Sequence, residues 1–458
     1  MGERAMGFAK DFLWGTATSS YQIEGGAFED GKGSSIWDDF SREPGCVLNG
    51  DTGDVACDHY HRFREDVALM AKLGIKNYRF SISWPRILPE GTGAVNEAGV
   101  QFYSDLVDCL LEHGIRPFCT LYHWDLPSAL HRHGGWLNDA MPEWFANYTR
   151  VVAERLGDRV KDFFTINEPQ CILGLGYGSG VHAPGVRYPI GAQVRMGHNL
   201  LKSHGRAVQV LRECVKDVRV GYAPCANPMI PATDSPADIE AAKKAYYSVN
   251  ADLAAFHWCL TWYSDPVVLG TYPEDGLLVY GKYLPDNWEA DMELICQPLD
   301  CYAQNIYQGE IVRAAENAQD WEKVAFPQGS PKTALNWRIT PDALYWGPKF
   351  ITERYHLPLI ITENGMSCHD AVMLDGKVHD PNRIDFAHRY LKALKRAAED
   401  GVPVIGYFYW SFLDNYEWNS GYNERFGLTY VDYQTQERIP KDSAYWYQHV
   451  METNGEEL

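Results

Sequence analysis

Glu168 closes the run DFFTINE (162–168), and Glu363 lies one residue from the end of LIITEN (359–364). Both runs are short, apolar and rich in β-branched or aromatic residues, the pattern of a buried strand. Each carboxyl is therefore expected at the C-terminal end of a strand. Two opposed carboxyls facing one pocket are what cleavage of a glycosidic bond requires. One protonates the leaving oxygen and the other meets the developing oxocarbenium carbon. A separation of about 5 Å leaves room for covalent attack but not for an intervening water. Arg79 lies inside the run NYRFSISW (77–84). A cation beside Glu363 keeps it ionised, as a nucleophile must be. With Glu363 negative, Glu168 ionises at a cost, so its pKa should rise and suit it to acid work. The plainer reading of Arg79 is a structural ion pair, but strand interiors rarely hold an unpaired arginine.

The elements that must position these groups recur along the whole chain. Eight runs read as strands: 12–18, 77–84, 117–124, 162–168, 219–225, 300–307, 359–364 and 404–411. Between them lie helical patterns at 60–73, 97–113, 141–156, 194–213, 341–355 and 384–399; in the first, Phe63, Val67, Met70 and Leu73 recur at spacings of three and four. Gly74, Gly114, Gly157 and Gly401 follow helices closely and are expected as C-caps. Buried strands alternating with amphipathic helices predict a parallel sheet, and eight such units predict a closed (β/α)8 barrel of the α/β class. No linker or low-complexity segment interrupts residues 1–458, so one barrel domain is expected. Long connections at 25–58, 169–192, 264–298 and 412–438 are expected to shape its mouth. His123, Asn167, Glu168, Asn305, Tyr307, Glu363 and Trp410 all fall at C-terminal strand ends, the face that carries the active site in such barrels. One strand-end carboxylate is ordinarily structural; seven polar or aromatic ends on one face are not.

Composition narrows the function classes. The formal charge of −20 excludes a polyanionic partner such as nucleic acid. Aromatics at 13%, with 15 Trp, suit sugar stacking but also a Trp-rich core. The 11 Cys are dispersed, with no C-x-x-C pair, which predicts neither a disulfide framework nor a zinc site. The N-terminal MGERAMGFAKDFLWG has no apolar h-region, and no stretch reaches the roughly 20 apolar residues of a membrane span. A cytoplasmic location without membrane association follows as the expectation. His59 and His61, with Glu65 near a helix start, look loosely like metal spacing, but with no third ligand placed on the pair they read as a solvated helix face. GYGSG (176–180) lacks the Lys and the strand–helix frame of a phosphate loop. No metal or cofactor is expected.

FLWGTATSSYQIEGG, YRFSISWPRILPEG, TLYHWDLP, FFTINEP, ITENG and YWSFLDNYEWNSGYNERFGLTYVDY, in this order, resemble glycoside hydrolase family 1, the β-glucosidase family, over nearly the whole chain. The resemblance implies a retaining double displacement with Glu168 as acid/base and Glu363 as nucleophile. It implies that Asn167 holds the sugar 2-hydroxyl and that Gln22, His123, Trp124, Trp410, Glu417 and Trp418 form the terminal-sugar pocket. Tyr307 matches the tyrosine that hydrogen-bonds the nucleophile, and Asn305 its companion. Phe426 matches an aromatic near O6, and Trp337 the leaving-group platform. The strand-six segment CYAQNIYQG departs from the family pattern of a Gly and a second aromatic. Residues 171–182 should line the leaving-group side, with Cys171, Leu175 and His182 as candidates. The residue types suit these roles physically, since Gln and His offer both donor and acceptor to adjacent hydroxyls and an ionised Glu417 accepts from two.

The expected substrate is a terminal β-linked glucose on short oligosaccharides or aryl glycosides, as in cellulose breakdown, with β-galactosidase or β-fucosidase side activity left open by Gln22 and Glu417. Competing readings are a 6-phospho-β-glycosidase, a non-catalytic sugar-binding relative and a thioglucosidase. The first needs a phosphate grip where this chain has Glu417, and the other two have lost a carboxyl that this chain retains. Oligomeric state is left open.

Overall fold

The computed structural model describes residues 7–252 and 256–458. Residues 1–6, the start of the N-terminus read above as leaderless, lie outside them. The eight strand runs form the eight staves of a closed parallel barrel: β1 (Leu13–Ala17), β2 (Asn77–Ser81), β3 (Arg116–Tyr122), β4 (Asp162–Asn167), β5 (Arg219–Ala223), β6 (Cys301–Asn305), β7 (Leu359–Asn364) and β8 (Val404–Trp410). Each strand pairs with its sequence neighbours, and β1 closes the ring on β8 with Ala17 opposite Trp410. Every residue of β2, β4 and β7 is buried, which is why they read as near-continuous apolar runs. Phe118, Phe164, Ala223, Ala303, Ile360 and Phe408 pack together inside the barrel.

The expected helices are present at His59–Lys72, Glu97–Glu112, Met141–Leu156, Ile190–Cys214, Ala343–Tyr355 and Pro381–Glu399. Gly74 and Gly401 end theirs in the left-handed region, at φ 74° and 91°. Gly157 departs from that expectation: it caps in the right-handed region, and a Cβ there would stand 2.4 Å from both the Ala153 carbonyl oxygen and Val215 Cγ2. The glycine serves close packing, not a turn.

Other differences have identifiable causes. The second run is strand only to Ser81, because Trp84–Ile87 forms a short helix with Pro85 in its first turn. β6 stops at Asn305, so Tyr307 lies past the strand end. The connection 264–298 is not an open loop: helices at Leu260–Val268, Glu274–Tyr280 and Trp288–Ile295 occupy it. A small sheet of Met229–Pro231, Glu310–Ala314 and Trp321–Lys323 lies outside the barrel, and Thr429–Val431 pairs with Arg438–Pro440 within the connection after β8. His59 is buried against Asp66, with Nδ1 to Oδ2 at 2.7 Å, and not solvated as expected. Exposed His61 pairs instead with Asp58 and Glu29, so the three residues of loose metal spacing do not converge. No helix among the described residues is long and apolar enough to cross a membrane.

Candidate active site

A cavity of about 540 Å³ opens at the C-terminal ends of the strands. Glu168, from the end of β4, and Glu363, from β7, both line it. Their surroundings differ. The Arg79 guanidinium, fully buried on β2, donates from Nη1 to Glu363 Oε1 at 2.5 Å. The Tyr307 hydroxyl donates to Glu363 Oε2 at 2.6 Å. Both oxygens of this carboxylate thus have a donor, one of them cationic. Arg79 is fixed in turn by Thr120 Oγ1 at 3.0 Å and Asn167 Oδ1 at 2.7 Å, and its guanidinium lies over the Phe164 ring.

Glu168 has only neutral donors. Asn305 Nδ2 reaches Oε1 at 2.6 Å, and the Cys171 thiol reaches Oε2 at 2.9 Å. Burial, and then the charge of Glu363, push its carboxyl up to about 7. Burial also raises Glu363, but Arg79 and Tyr307 pull it back. The pair therefore loses its first proton from Glu363 and keeps its second on Glu168 near neutrality. One group is poised as an anion and the other as an acid. Glu168 sits at φ 47° and Trp124 at φ 81°, positive values that cost non-glycine residues about 1–3 kcal/mol each and that cluster at functional sites.

Behind the carboxyls runs a hydrogen-bonded layer. Asn167 Oδ1 accepts from Arg79 and from Asn305 Nδ2, while its amide meets His123 Nε2 at 3.2 Å. That contact makes Nε2 the acceptor of His123, and burial together with Arg79 holds the ring neutral. The buried Nδ1 of His123, the protonated nitrogen, has no hydrogen-bond partner among the described residues.

Trp410 and Trp418 stack on the His123 ring at 5.7 and 6.0 Å, with Trp124 beside them. Glu417 lines the cavity and takes the Gln22 amide at 3.4 Å. Expected as an acceptor-only group, it is instead pushed up to about 8 by burial and by Glu363 and Glu424. At neutral pH Glu417 is thus an acid that both donates and accepts. Trp337, Tyr307 and Phe426 form an aromatic corner of the lining, with ring centres 5.1–6.1 Å apart.

The structure brings nearly all the sequence-derived residues to one cavity, including the weaker candidates Cys171, Leu175 and His182. Gln22 and Asn167 do not line it. Their side chains are held by Asn415, Glu417, Arg79, Asn305 and His123 in the layer behind. Sequence reasoning missed Cys225, Ala226, Asn227, Trp258, Gln308, Leu335, Asn419 and Ser420 in the lining. Gln308 was within reach of it, being adjacent to Tyr307. Asn227 and Trp258 sit in connections with no motif.

A family profile described as glycosyl hydrolase family 1 matches residues 5–456. Beta-glucosidase A of Thermotoga maritima is 49% identical over 450 residues, covering 98% of this chain and 98% of its own. A bifunctional beta-D-glucosidase/beta-D-fucosidase of Bifidobacterium breve is 41% identical over 97% of this chain and 98% of its own. The solved structure of the Thermotoga maritima beta-glucosidase in complex with glucoimidazole superposes with a TM-score of 0.90 at 48% identity, covering 98% of this chain and all of that one.

Proposed function

The chain belongs to glycosyl hydrolase family 1, and from that premise we propose that it is a retaining β-glucosidase, with Glu363 as nucleophile and Glu168 as acid/base, acting on terminal β-glucosyl residues of cellobiose-like oligosaccharides and aryl glycosides. One observation carries the reading: a carboxylate clamped by Arg79 and Tyr307 shares a cavity with a carboxyl that has no cationic partner. Glu168 protonates the glycosidic oxygen while Glu363 attacks the anomeric carbon. Glu168 then takes a proton from the water that releases the sugar. His123, Trp410, Glu417, Trp418 and Phe426 hold the terminal sugar, backed by Gln22 and Asn167. Trp337 carries the leaving group. The relative named for both glucosidase and fucosidase activity supports a β-fucosidase side activity. A place in cellulose degradation fits this substrate class. Eleven unpaired cysteines suit a reducing compartment and support a cytoplasmic location.

The discriminating experiment is a panel of 4-nitrophenyl β-glycosides with cellobiose and the glucoside 6-phosphate. Three carboxyls and no Lys or Arg line the cavity, so a phosphate dianion finds no counter-charge there. The neutral glucoside should be cleaved far faster than its 6-phosphate. Glu417→Ser should weaken the neutral substrate by about 1–3 kcal/mol, or roughly 5- to 150-fold in kcat/KM, and narrow the gap to the phosphorylated one. A wild-type preference for the 6-phosphate would overturn the β-glucosidase reading. Proton NMR should show a β-anomer as the first-formed sugar, and an initial α-anomer would mean inversion.

Glu168 acts first in its protonated form, and its carboxyl lies at about 7. kcat/KM should therefore fall as pH rises through about 7, and fall again on the acid side as Glu363 takes up a proton. The alkaline limb should disappear in Glu168→Gln measured with an activated aryl glucoside. An unchanged limb would assign it to another group.

A further inference from the structure

We infer that Glu168, Cys171 and Cys225 form a binding site for one thiophilic divalent cation of the Zn²⁺ or Cd²⁺ type, and that its occupancy withdraws Glu168 from the reaction. The second half rests on the acid/base reading of Glu168; the first does not. Among the described residues these three are the one group of His, Cys, Asp or Glu donors whose ligand atoms all lie within 4.8 Å of one another. They come from neighbouring staves: Glu168 follows β4, Cys171 ends the short turn of helix Pro169–Cys171, and Cys225 lies two residues past β5, where it bridges to Asn305. All three are buried, and all three line the active-site cavity.

The spacing suits a tetrahedral ion. Zinc–sulfur bonds of about 2.3 Å place two thiolates about 3.8 Å apart, and Cys171 Sγ and Cys225 Sγ stand 4.0 Å apart. Cys171 Sγ lies 2.9 Å from Glu168 Oε2 because a thiol proton bridges them. Replacing that proton by the cation opens the gap to about 3.5 Å, a movement of roughly half an ångström. The fourth position faces the cavity, giving three protein ligands and one open site, as at water-accessible zinc centres. The step balances without redox chemistry. Each thiol releases its proton to solvent as a metal–sulfur bond forms, and Glu168, where protonated, releases a third. Affinity must therefore rise with pH. A cation held on Glu168 leaves no acid for the leaving oxygen.

The test uses the full chain, reduced and desalted, as wild type, Cys171→Ser, Cys225→Ser and the double variant. Cd²⁺ is titrated while the ultraviolet thiolate-to-cadmium charge-transfer absorption is recorded. Hydrolysis of 4-nitrophenyl β-glucoside is measured alongside, each variant against its own metal-free rate. The expectation for wild type is one strongly bound Cd²⁺ with the charge-transfer band, loss of hydrolysis on the same titration curve, recovery on adding EDTA, and weaker binding at lower pH. Either single variant should lose at least the roughly 10- to 100-fold in affinity that loss of even an outer-shell partner costs, and the double variant should lack the tight site. The wild-type pH dependence stands whether or not a variant folds well. An identical band and identical sensitivity in wild type and double variant would overturn the site. So would inactivation that arises without the charge-transfer band and is reversed by a phosphine reductant but not by EDTA, since that is thiol oxidation. A filled site with undiminished hydrolysis would overturn the withdrawal of Glu168. The acid/base reading is tested separately by Glu168→Gln, without metal.

Discussion

Glu363→Ala should lower kcat by roughly 10⁴- to 10⁶-fold, the scale seen when a nucleophile of covalent catalysis is removed, while the protein stays folded and binds substrate. Glu363 supplies the bond that splits one difficult displacement into two. Without it Glu168 still protonates the leaving oxygen, but nothing meets the oxocarbenium carbon. The truncated side chain leaves space beside Arg79 and the Tyr307 hydroxyl, the two donors that held the carboxylate at 2.5 and 2.6 Å. A small anion should settle there. Azide or formate at high concentration should restore part of the activity, with the α-configured azide adduct or α-anomer as product, because the exogenous anion attacks once and is not displaced. Product configuration by proton NMR is the decisive measurement. A variant that keeps more than a few per cent of wild-type activity unaided, or that yields β-product with azide, excludes Glu363 as nucleophile.

Removing Glu363 leaves a fully buried guanidinium with one anionic partner fewer, and an uncompensated buried charge costs about 3–5 kcal/mol. Arg79 keeps Asn167 Oδ1 and Thr120 Oγ1, so the loss in Tm should fall at the low end. Glu363→Gln, which keeps an acceptor oxygen, should lose less stability while remaining as inactive.

How much was legible follows from the physics of each element. The barrel strands were legible because parallel strands buried on both faces are short apolar runs that neither a helix face nor a loop mimics. LIITEN is the plainest case, with all six residues buried. Helix Leu260–Val268 was not legible. It is buried from Leu260 through Val267 and carries Pro266 inside, so it shows neither an amphipathic stripe nor a clean propensity signal. The outer strands Met229–Pro231 and Trp321–Lys323 have three residues each, too few for a period of two to register. At the site, strand-end positions pointed to the carboxyls, and an arginine in the interior of a buried strand pointed to Arg79. What a sequence does not carry is how contacts from distant segments combine. His59 read as a surface residue, yet Asp66 holds it and is itself tied to Arg438 from near the C-terminus. Glu417 read as an anion, but burial, with Glu363 and Glu424 near it, pushes its carboxyl up to about 8. Cys171 and Cys225 looked unrelated until β4 and β5 placed their sulfurs together.

Glu168→Gln should separate the two halves of the reaction according to leaving group. Glutamine keeps the shape: its one oxygen can still accept from the Asn305 amide, and its NH2 then faces the Cys171 sulfur as donor, so the geometry around Glu363 should persist. What is lost is a transferable proton. An unactivated leaving group such as the second glucose of cellobiose departs as a poor alkoxide unless protonated, and its glycosylation rate should fall by roughly 10²- to 10⁴-fold, the usual worth of a general acid. A 2,4-dinitrophenolate needs no proton, and its first step should be nearly untouched. The second step suffers for every substrate, because water then lacks its base. Activated substrates should therefore give a burst of phenolate matching the enzyme concentration, followed by a slow steady state, with a low apparent KM as the glycosyl-enzyme accumulates. The amide carries no charge at any pH, so the alkaline limb belonging to a carboxyl at about 7 should vanish with it. Azide should speed the slow phase for this variant and give β-azide product, since it attacks the glycosyl-enzyme from the face that water uses, the opposite outcome from Glu363→Ala. Equal losses in the first step for good and poor leaving groups, or α-azide from this variant, would remove Glu168 from the acid/base role and would require another lining group to take it.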